Sequence, residues 1–388
     1  MLVRRPLLLI VGTRPEVLKL APVAHVLKAR RHRFALLATG QHPAVTADHL
    51  PAVGLRADVD LALHCPDQPL STLLARVIAG VAEQIAAFRP SLVIVQGDTA
   101  SALGGALAAF QCGVPVAHVE AGLRTGDLAD PFPEEGHRAL IARVSTLHFA
   151  PTRGAVEQLL AEGIARDSIV LTGNTAIDSL LAARAAIRQP DRSERLARRF
   201  PFAAAPAEPL VLATVHRREN LGQRMRSIAS GLHRLAADGR VQMALALHPN
   251  PAAAGPLRSR LEGLSNVHLL PPLEHEAMVW LMERAALLVT DSGGLQEEAP
   301  ALGLPTLVLR AATERPEPIA AGTARLVELR ACAIAAAARA LLAAPRPRPV
   351  FPFGDGRAAE RIVDALEMRL ALPAPARVTR ALRLPVPA

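Results

Sequence analysis

The amino-acid sequence predicts an α/β protein with two doubly wound domains that face each other. Short apolar runs of strand type alternate with helical periods from residue 7 to about 187, and the same alternation restarts at residue 210. Such alternation predicts parallel sheets with helices on both faces. Residues 188–209 are rich in Pro, Arg and Ala, and we predict that they are the linker between the two halves.

The first half is predicted to carry a sheet of five or more parallel strands. Each apolar run is short enough for a buried strand, and each helical period is long enough for a covering helix. The predicted strands are Leu7–Val11, Phe34–Ala38, Leu92–Gln96, Pro115–Val119, Leu147–Ala150 and Ile169–Thr172. The predicted helices are Val17–Arg30, Thr72–Phe88, Ala100–Gln111, Glu135–Val144, Gly154–Leu160 and Thr175–Ile187.

The second half repeats this architecture without repeating the sequence. Its predicted strands are Leu210–Thr214, Val241–Leu247, Val267–Leu269, the run that begins at Leu287, and Thr306–Leu309. Its predicted helices are Leu221–Ala236, Glu274–Ala285, one that begins at Leu295, Ala333–Leu342 and Gly356–Leu370. We therefore predict a first domain at 1–187, a second at 188–355 and a proline-rich tail at 371–388.

Composition excludes several classes of protein. A chain of 388 residues with 51% hydrophobic and 20% charged residues is a folded protein of two or three domains. The net charge is +9, but the basic residues are scattered and only 3% of residues are aromatic, so we predict no nucleic-acid partner. A negatively charged small substrate fits this charge equally well.

Cysteine usage and hydropathy predict a cytoplasmic protein without a membrane partner. Cys65, Cys112 and Cys332 are far apart and form no metal-ligand spacing, which indicates a reducing compartment. The apolar run Leu7–Val11 is too short for a signal peptide, and we expect no segment of the length of a membrane span.

Polar motifs follow the predicted strands in both halves. They begin at Gly12, Gln96, His118, His216, His248 and Asp291. Because ligands of such sheets bind beyond the carboxyl ends of the strands, we expect these motifs to converge on one cleft. The segment Asp291-Ser292-Gly293-Gly294 stands between a strand and a helix start, where glycines, a capping Ser and helical N–H groups favour a phosphate. Either Glu297 or Glu298 could then bind ribose hydroxyls.

The residue types near these strand ends predict binding of a diphosphate and proton transfer. The candidate phosphate donors are Arg14, Lys19, Arg124, Arg217, Arg315, His216 and His248. Three carboxylates, Asp98, Glu120 and Glu134, could act as base and acid if a closed cleft shifts their pKa values. Metal binding is the alternative use of such carboxylates, but no metal-ligand spacing accompanies them. There is also no Walker motif, no Gly-x-Gly-x-x-Gly and no Gly-x-Ser-x-Gly.

A series of short motifs allows a more specific interpretation. They are Gly12–Glu16, Thr39–His42, Gln96–Thr99, Val119–Thr125, Pro133–Glu135, Gly173–Thr175, Val215–Asn220, His248–Asn250, Asp291–Glu298, Thr313–Glu317 and Gly354–Gly356. In order and spacing, this series resembles the bacterial UDP-N-acetylglucosamine 2-epimerases of the non-hydrolysing type. The resemblance extends from residue 7 to about 368.

The resemblance implies a fold, a reaction and a set of site residues. The fold is GT-B, with UDP between two Rossmann-like domains and the C-terminal helix, about 356–370, packed back on the first. The reaction interconverts UDP-GlcNAc and UDP-ManNAc through a glycal, without metal or other cofactor, commonly in a homodimer. The implied catalytic residues are Asp98, Glu120, Glu134, His216 and Lys19. The implied substrate-binding residues are Arg14, Arg124, Arg138, Arg217, Asn220, His248, Ser292, Gly293, Gly294, Glu297 and Arg315.

The sequence departs from the family pattern at several positions. Pro43, Ala44 and Val45 stand where polar residues are expected, and Asp67-Gln68 lacks an expected Arg, so the sequence does not predict allosteric activation by substrate. His137 replaces an Asn, and Phe351 and Phe353 replace an Asn and a Tyr; these changes are expected near ligand contacts, where they could alter substrate preference.

Four alternatives remain at this point. Two are enzymes of related chemistry: an epimerase of a modified UDP-amino sugar and a hydrolysing epimerase that releases free ManNAc. A GT-B glycosyltransferase would need an acceptor. A UDP-sugar sensor would not need the three carboxylates.

Overall fold

The computed structural model describes residues 5–371 as two parallel α/β sheets, each covered by helices. The first sheet has the strand order β3-β2-β1-β4-β5-β6-β7. Its strands are β1 (Leu7–Val11), β2 (Phe34–Ala38), β3 (Val59–Asp60), β4 (Leu92–Gln96), β5 (Val116–Val119), β6 (Leu147–Ala150) and β7 (Ile169–Leu171). Its helices are α1 (Arg14–Ala29), α2 (Leu50–Ala52), α3 (Leu70–Phe88), α4 (Ala100–Gln111), α5 (Glu134–Val144), α6 (Arg153–Ala161) and α7 (Thr175–Ile187).

The second sheet has the strand order β10-β9-β8-β11-β12-β13. Its strands are β8 (Leu210–Thr214), β9 (Gln242–Ala246), β10 (Val267–Leu270), β11 (Leu287–Thr290), β12 (Thr306–Val308) and β13 (Ala324–Leu326). The helices are α8 (Pro190–Arg199), α9 (Pro201–Ala204), α10 (Gln223–Ala236), α11 (Pro251–Leu261), α12 (His275–Arg284), α13 (Gly293–Glu298), α14 (Glu317–Ala320), α15 (Ala331–Ala343) and α16 (Ala358–Ala371). Both sheets are doubly wound, which confirms the predicted fold class.

Several elements were missed because they lack a clear hydrophobic period. Strands β3 and β13 have two and three residues, too few for a pattern. Helix α11 contains Pro256, and Pro251 stands in its first turn. The predicted linker is largely helical, because α8 and α9 lie within it and Leu196 and Phe200 pack in a core with Trp280.

The chain crosses between the two sheets twice. Helix α7 packs its buried side chains with those of α12 beside the second sheet, and it also lies along α1. Helix α16 returns to the first sheet, where Ile362, Val363 and Leu366 share a core with Val17. The domain boundary at residue 187 stays a prediction. The predicted tail beyond Ala371 lies outside the described residues.

Helix α3 contradicts the expectation that no segment has the length of a membrane span. It has 19 residues, and its most apolar window has a mean hydropathy of 1.4, which is long and apolar enough for a membrane span. One such helix is weak evidence for a span, because a core helix passes the same test. Helix α3 packs along α4 through Leu73, Val77, Val81 and Ile85.

Candidate functional site

The carboxyl ends of β1, β4 and β5 carry the first group of site residues, with Lys19 one turn into α1. Lys19 and Glu120 are both buried, and their side chains form an ion pair. The same Glu120 oxygen, Oε2, also accepts hydrogen bonds from Gln96 Nε2 at 3.0 Å and Asn174 Nδ2 at 3.5 Å. Glu120 has a φ of +67°, which is unusual for a residue with a side chain. Strained backbone of this kind is concentrated at functional sites.

Glu297 and Arg315 meet this group from the second sheet. Lys19 Nζ lies 2.9 Å from Glu297 Oε2, and Arg315 Nε donates to Glu297 Oε1 at 2.6 Å. Arg315 NH2 is 3.6 Å from Glu120 Oε1. Two cations and two carboxylates from the two sheets therefore form one buried cluster, Lys19, Glu120, Glu297 and Arg315, which we call the bridging cluster.

Burial and charge set the pKa values within the bridging cluster. Burial raises the pKa of Glu120, and the Lys19 ammonium only partly opposes this. Burial also disfavours the charged form of Glu297, but Arg315 and Lys19 outweigh it, so the pKa of Glu297 is lowered. Glu120 is thus the carboxylate of the cluster that most readily takes up a proton.

Asp98 is held by residues of α5. Arg138 donates to Asp98 Oδ2 at 2.8 Å through Nε and to Glu135 Oε2 at 2.9 Å through NH1. Burial raises the pKa of Asp98, but Arg138 lowers it further, so the net shift is downward. His137 Nδ1 lies 2.8 Å from the carbonyl oxygen of Asp98. Asp98 is therefore an ionised carboxylate fixed through both its backbone and its side chain.

Glu134 differs from the other two predicted catalytic carboxylates. It is half-buried at the first residue of α5, and within residues 5–371 its side chain makes no hydrogen bond or ion pair. A carboxylate that no protein group holds is free to bind a ligand or exchange a proton. The three predicted carboxylates therefore have three distinct environments.

Asp291 organises the second-sheet side of the cleft. This fully buried carboxylate accepts hydrogen bonds from His216 N at 3.0 Å, Arg217 N at 2.9 Å and Asn220 Nδ2 at 2.9 Å. The His216 ring is partly exposed and stacks on His248, with ring centroids 5.8 Å apart. Burial lowers the pKa of His248, and the His216 ring adds to this effect. The backbone of the loop after β8 is thus fixed, and its His216 ring lies against His248 of the loop after β9.

The glycine pair after β11 has two separate functions in the fold. A Cβ built on Gly293 would lie 2.7 Å from Cζ and NH1 of Arg315, whereas one on Gly294 meets no atom of residues 5–371 within 4 Å. Gly293 therefore lets Arg315 lie against the loop, and Gly294 leaves open space for a ligand. Ser292 is the N-cap residue of α13, but its side chain makes no capping hydrogen bond, so the predicted cap is absent.

Arg14 is the cation that directly follows the loop after β1. It is half-buried at the start of α1, and the structure gives it no hydrogen-bond partner among the described residues. Burial lowers its pKa, against the opposing charges of Glu298 and Glu274 in the second domain. An unpaired guanidinium in this position is available for a phosphate.

Four residues expected at ligand contacts are engaged by the protein itself, and their ligand contacts stay predictions. Arg124 binds Glu162 at 2.6 Å and 3.0 Å. Asn220 is fully buried, and its amide is committed to Asp291 and to the Leu309 carbonyl at 3.0 Å. Both oxygens of Glu297 lie against cations, Oε2 at 2.9 Å from Lys19 and Oε1 at 2.6 Å from Arg315, so in this conformation they are engaged by the protein. Phe353 is a core residue, although it was expected near ligand contacts; Phe351 is 49% exposed.

Sequence reasoning missed other charged residues of the site. Glu314 is buried and pairs with Arg315, with Arg310 NH1 at 2.5 Å and with Arg217 at 3.6 Å. These cations lower its pKa against the effect of burial. Asp291, Glu135 and Glu16 were passed over as well. All lie inside quoted motifs, so the signal was present, but the patterns do not distinguish a carboxylate that binds substrate from one that holds the site together.

No group of three or more His, Cys, Asp or Glu side chains in residues 5–371 is arranged to hold a metal ion. The expectation of a metal-free reaction stays a prediction.

Two Rossmann-like sheets whose strand ends meet across a polar cleft define a protein of the GT-B fold. A family model described as UDP-N-acetylglucosamine 2-epimerase matches residues 25–367. The chain belongs to this family.

Relatives and solved structures agree with this assignment over nearly the whole chain. The UDP-N-acetylglucosamine 2-epimerase of Escherichia coli strain K12 is 41% identical over 369 residues, which cover 93% of this chain and 98% of that protein. The protein of the same name from Salmonella typhimurium is 40% identical over 368 residues, with 93% and 98% covered. The crystal structure of UDP-GlcNAc 2-epimerase from Neisseria meningitidis bound to UDP-GlcNAc superposes with a TM-score of 0.90 at 36% identity and covers 94% of this chain and 100% of that one.

Proposed function

We propose that this protein interconverts UDP-GlcNAc and UDP-ManNAc by eliminating UDP and adding it back to a 2-acetamidoglucal intermediate. The observation that supports the proposal is the pair of buried carboxylates Asp98 and Glu120 held by cations at the strand ends, with Glu134 at the start of α5, the helix that holds Asp98. A binding protein would need the cations but not three such carboxylates. Membership of the UDP-N-acetylglucosamine 2-epimerase family supports the choice of substrate.

UDP would bind between the glycine loop and the cations that face it. Gly294 leaves room for a diphosphate at the start of α13, and Arg14 contributes an unpaired guanidinium from the first domain. Arg217 and the imidazoles of His216 and His248 are further donors. Because these groups gain most when negative charge appears on the β-phosphate, they would stabilise UDP as a leaving group.

We assign the ribose contact to Glu298 and not to its neighbour Glu297. Glu298 Oε1 lies 3.0 Å from His275 Nε2, and Oε2 has no hydrogen-bond partner among the described residues. An unpaired carboxylate oxygen of this kind is suited to accept a ribose hydroxyl. Glu297 would act through Lys19 and Arg315, whose charges it balances.

Elimination transfers one proton and breaks two bonds of the sugar, C2–H and C1–O. A carboxylate takes the proton from C2 of the sugar, the C2–H electrons form the C1=C2 double bond, and the C1–O bond breaks with its electrons on the UDP oxygen. Return of a proton to C2 on the opposite face, with attack of UDP on C1, gives the epimer. Two proton-transfer groups on opposite faces are therefore needed, and a closed cleft would keep water from the glycal.

Glu120, Asp98 and Glu134 are the groups we propose for these transfers. Glu120 has a raised pKa, so it can hold the proton between half-reactions, while Asp98 has a lowered pKa and is ionised. Glu134 makes no hydrogen bond or ion pair within residues 5–371, so its side chain is free to face the sugar. His216 would donate to the departing phosphate.

Proton NMR in heavy water tests the proposal. The purified protein is incubated with UDP-GlcNAc without added metal, and we expect deuterium at C2 together with accumulating UDP-ManNAc. Free ManNAc and UDP would instead indicate a hydrolysing enzyme. Absence of exchange would contradict the proposal and favour a modified UDP-amino sugar or a transferase.

We also propose that the protein is a cytoplasmic homodimer that uses the outer side of α3 and α4. Leu70 and Phe110 are 40% and 55% exposed there, and Leu74 and Ile78 are only partly buried. These four residues form what we call the α3–α4 surface. Apolar side chains on two adjacent helices are typical of subunit contacts. Three exposed free cysteines fit a reducing compartment.

A further inference from the structure

Glu16 is a buried carboxylate that the proposed reaction does not use. It lies in the first turn of α1 and is 1% exposed. Its Oε2 accepts hydrogen bonds from Gly12 N at 2.9 Å, Thr13 N at 2.7 Å and Thr13 Oγ1 at 2.8 Å. Its Oε1 accepts one from Thr99 Oγ1 at 2.7 Å. Both oxygens are therefore occupied by protein donors, which leaves no room for a substrate contact.

These donors belong to two different strand ends. Gly12 and Thr13 follow β1 and directly precede Arg14, whereas Thr99 follows β4 and directly succeeds Asp98. The side chain of Thr99 also accepts from Ala102 N at 3.0 Å as the N-cap of α4. One carboxylate thus joins the loop that carries the free cation to the loop that carries the ionised carboxylate.

Close packing around this junction leaves little freedom to either loop. A Cβ on Gly12 would lie 1.9 Å from Ser101 Oγ, and the Ser101 hydroxyl in turn lies 2.7 Å from that of Thr39. The end of β1 therefore lies directly on the start of α4. A change in the Glu16 contacts would be transmitted to both loops.

We propose that Glu16 is a positioning residue that fixes Arg14 and Asp98 relative to each other, so that the diphosphate and C2 of the sugar are held in register. The proposal rests on the proposed function. Misplacement of reacting groups by about 1 Å can cost on the order of a hundredfold in rate, which is why such a residue matters without touching substrate. The effect of losing the Thr99 contact should fall on kcat, because the Arg14 loop would keep its own three bonds to Glu16.

Glutamine is the matched conservative replacement at this position. Its carbonyl oxygen can accept from Gly12 and Thr13, and its amide can donate to Thr99 Oγ1, so the junction is preserved without charge. Glu16→Ala removes all four contacts. Thr99→Val removes the hydrogen bond between Glu16 and residue 99, which directly follows Asp98. Thr99→Ser keeps the hydroxyl that makes this bond.

Thr152 provides the control for the loss of a helix cap. It is the N-cap of α6 and accepts from Ala155 N at 3.1 Å, as Thr99 does for α4, but it does not contact Glu16. Thr152→Val should therefore show the effect of losing such a cap alone, and Thr99→Val should lower the melting temperature at least as much, because it also removes the hydrogen bond to Glu16. Only Thr99→Val should change catalysis.

The experiment measures kcat and KM for UDP-GlcNAc by C2 exchange, and UDP affinity by calorimetry, in the full-length chain. We expect kcat to fall about tenfold in Thr99→Val with UDP affinity within about twofold, and to return in Thr99→Ser. We expect Glu16→Gln to stay within about threefold of wild type and Glu16→Ala to lose about a hundredfold in kcat and about tenfold in UDP affinity. Equal kcat in Thr99→Val and Thr152→Val would overturn the proposal.

Failure of the proposed function gives a different result. In that case the wild-type protein would show no exchange with UDP-GlcNAc. The effect of Glu16 on Arg14 would then be measured by UDP affinity alone. Weaker UDP binding in Glu16→Ala than in Thr152→Val would then still support Glu16 as the residue that holds Arg14. Equal binding in these two variants would overturn it.

Discussion

Lys19 of α1 and Glu297 of α13 form an ion pair of 2.9 Å across the cleft, and both side chains are almost entirely buried. Two further contacts join the sheets: Arg315 to Glu120 at 3.6 Å and Arg138 to Glu314 at 3.7 Å. Charged groups of both domains therefore meet at one buried interface. Each such group depends on its partners, because an unpaired charge there would be costly.

Replacement of Lys19 by Met should destabilise the protein strongly. Glu120 and Glu297 would lose their shared cation and repel each other, and removal of one partner of a buried pair costs about 3–5 kcal/mol. Urea unfolding would measure the loss. Lys28→Met is the matched control, because Lys28 is an exposed lysine on the same helix. Equal stability of the two variants would show that the bridging cluster contributes nothing net.

Glu120→Gln should abolish epimerisation while UDP affinity stays within about tenfold, or ~1.4 kcal/mol. The amide keeps the shape of the side chain but cannot take the C2 proton. Exchange at C2 and calorimetric titration with UDP measure the two effects separately. Glu83→Gln, on the exposed side of α3, serves as control. An active Glu120→Gln variant would exclude Glu120 from proton transfer.

Gly293→Ala should lower stability, whereas Gly294→Ala should weaken UDP binding. A Cβ at residue 293 would displace the Arg315 guanidinium, so we expect the free protein to lose about 1–3 kcal/mol of stability. A Cβ at residue 294 meets no atom of the described residues within 4 Å, so Gly294→Ala should fold normally and bind UDP more weakly. Thermal unfolding without and with UDP compares the two. A stable Gly293→Ala variant would contradict the assigned contact with Arg315.

The contribution of Glu16 to stability should fall as pH rises from about 4.5 to about 7. Burial raises its pKa from 4.5 to about 7, although four hydrogen bonds oppose this. The folded state therefore binds this proton more tightly, so the contribution of Glu16 is fully present below pH 4.5 and is lost up to about pH 7, by at most about 3 kcal/mol. Glu16→Gln cannot titrate, so its unfolding midpoint in urea should depend less on pH across this range. Parallel curves for the two proteins would refute the raised pKa.

Phe110→Asp should convert the proposed dimer to a monomer. Phe110 is 55% exposed on the α3–α4 surface, so a charge there would be buried in the contact without disturbing the monomer. Sedimentation velocity gives the mass. Leu160→Asp, at a 40% exposed position on α6, is the control and should not change it. A dimeric Phe110→Asp variant would place the subunit contact elsewhere.

Much of the molecule could be predicted from sequence because its signals are local. Buried parallel strands are continuous apolar runs, so β1, β4 and β8 were located to the residue. Polar residues that follow such runs must lie at one edge of the sheet, so sequence alone identifies Lys19, Asp98 and Glu120 as candidate site residues.

The elements that were missed lack such local signals. Strands β3 and β13 are stabilised by pairing with neighbours, and α11 forms around two prolines with Asn250 as its cap. Their formation depends on contacts that no short window of sequence contains.

Sequence by itself determined the two-sheet architecture, the family and the set of charged residues at the strand ends. Only the tertiary structure decided what each charge does. Glu297 and Glu298 are adjacent and identical in type, yet one is turned inward to Lys19 and Arg315 while the other keeps an unpaired oxygen. Arg124 forms an ion pair with Glu162, and Glu16 binds Thr99, which is 83 residues away in the sequence. Partners of a buried charge come from distant parts of the chain, so the role of such a charge appears only when the chain is folded.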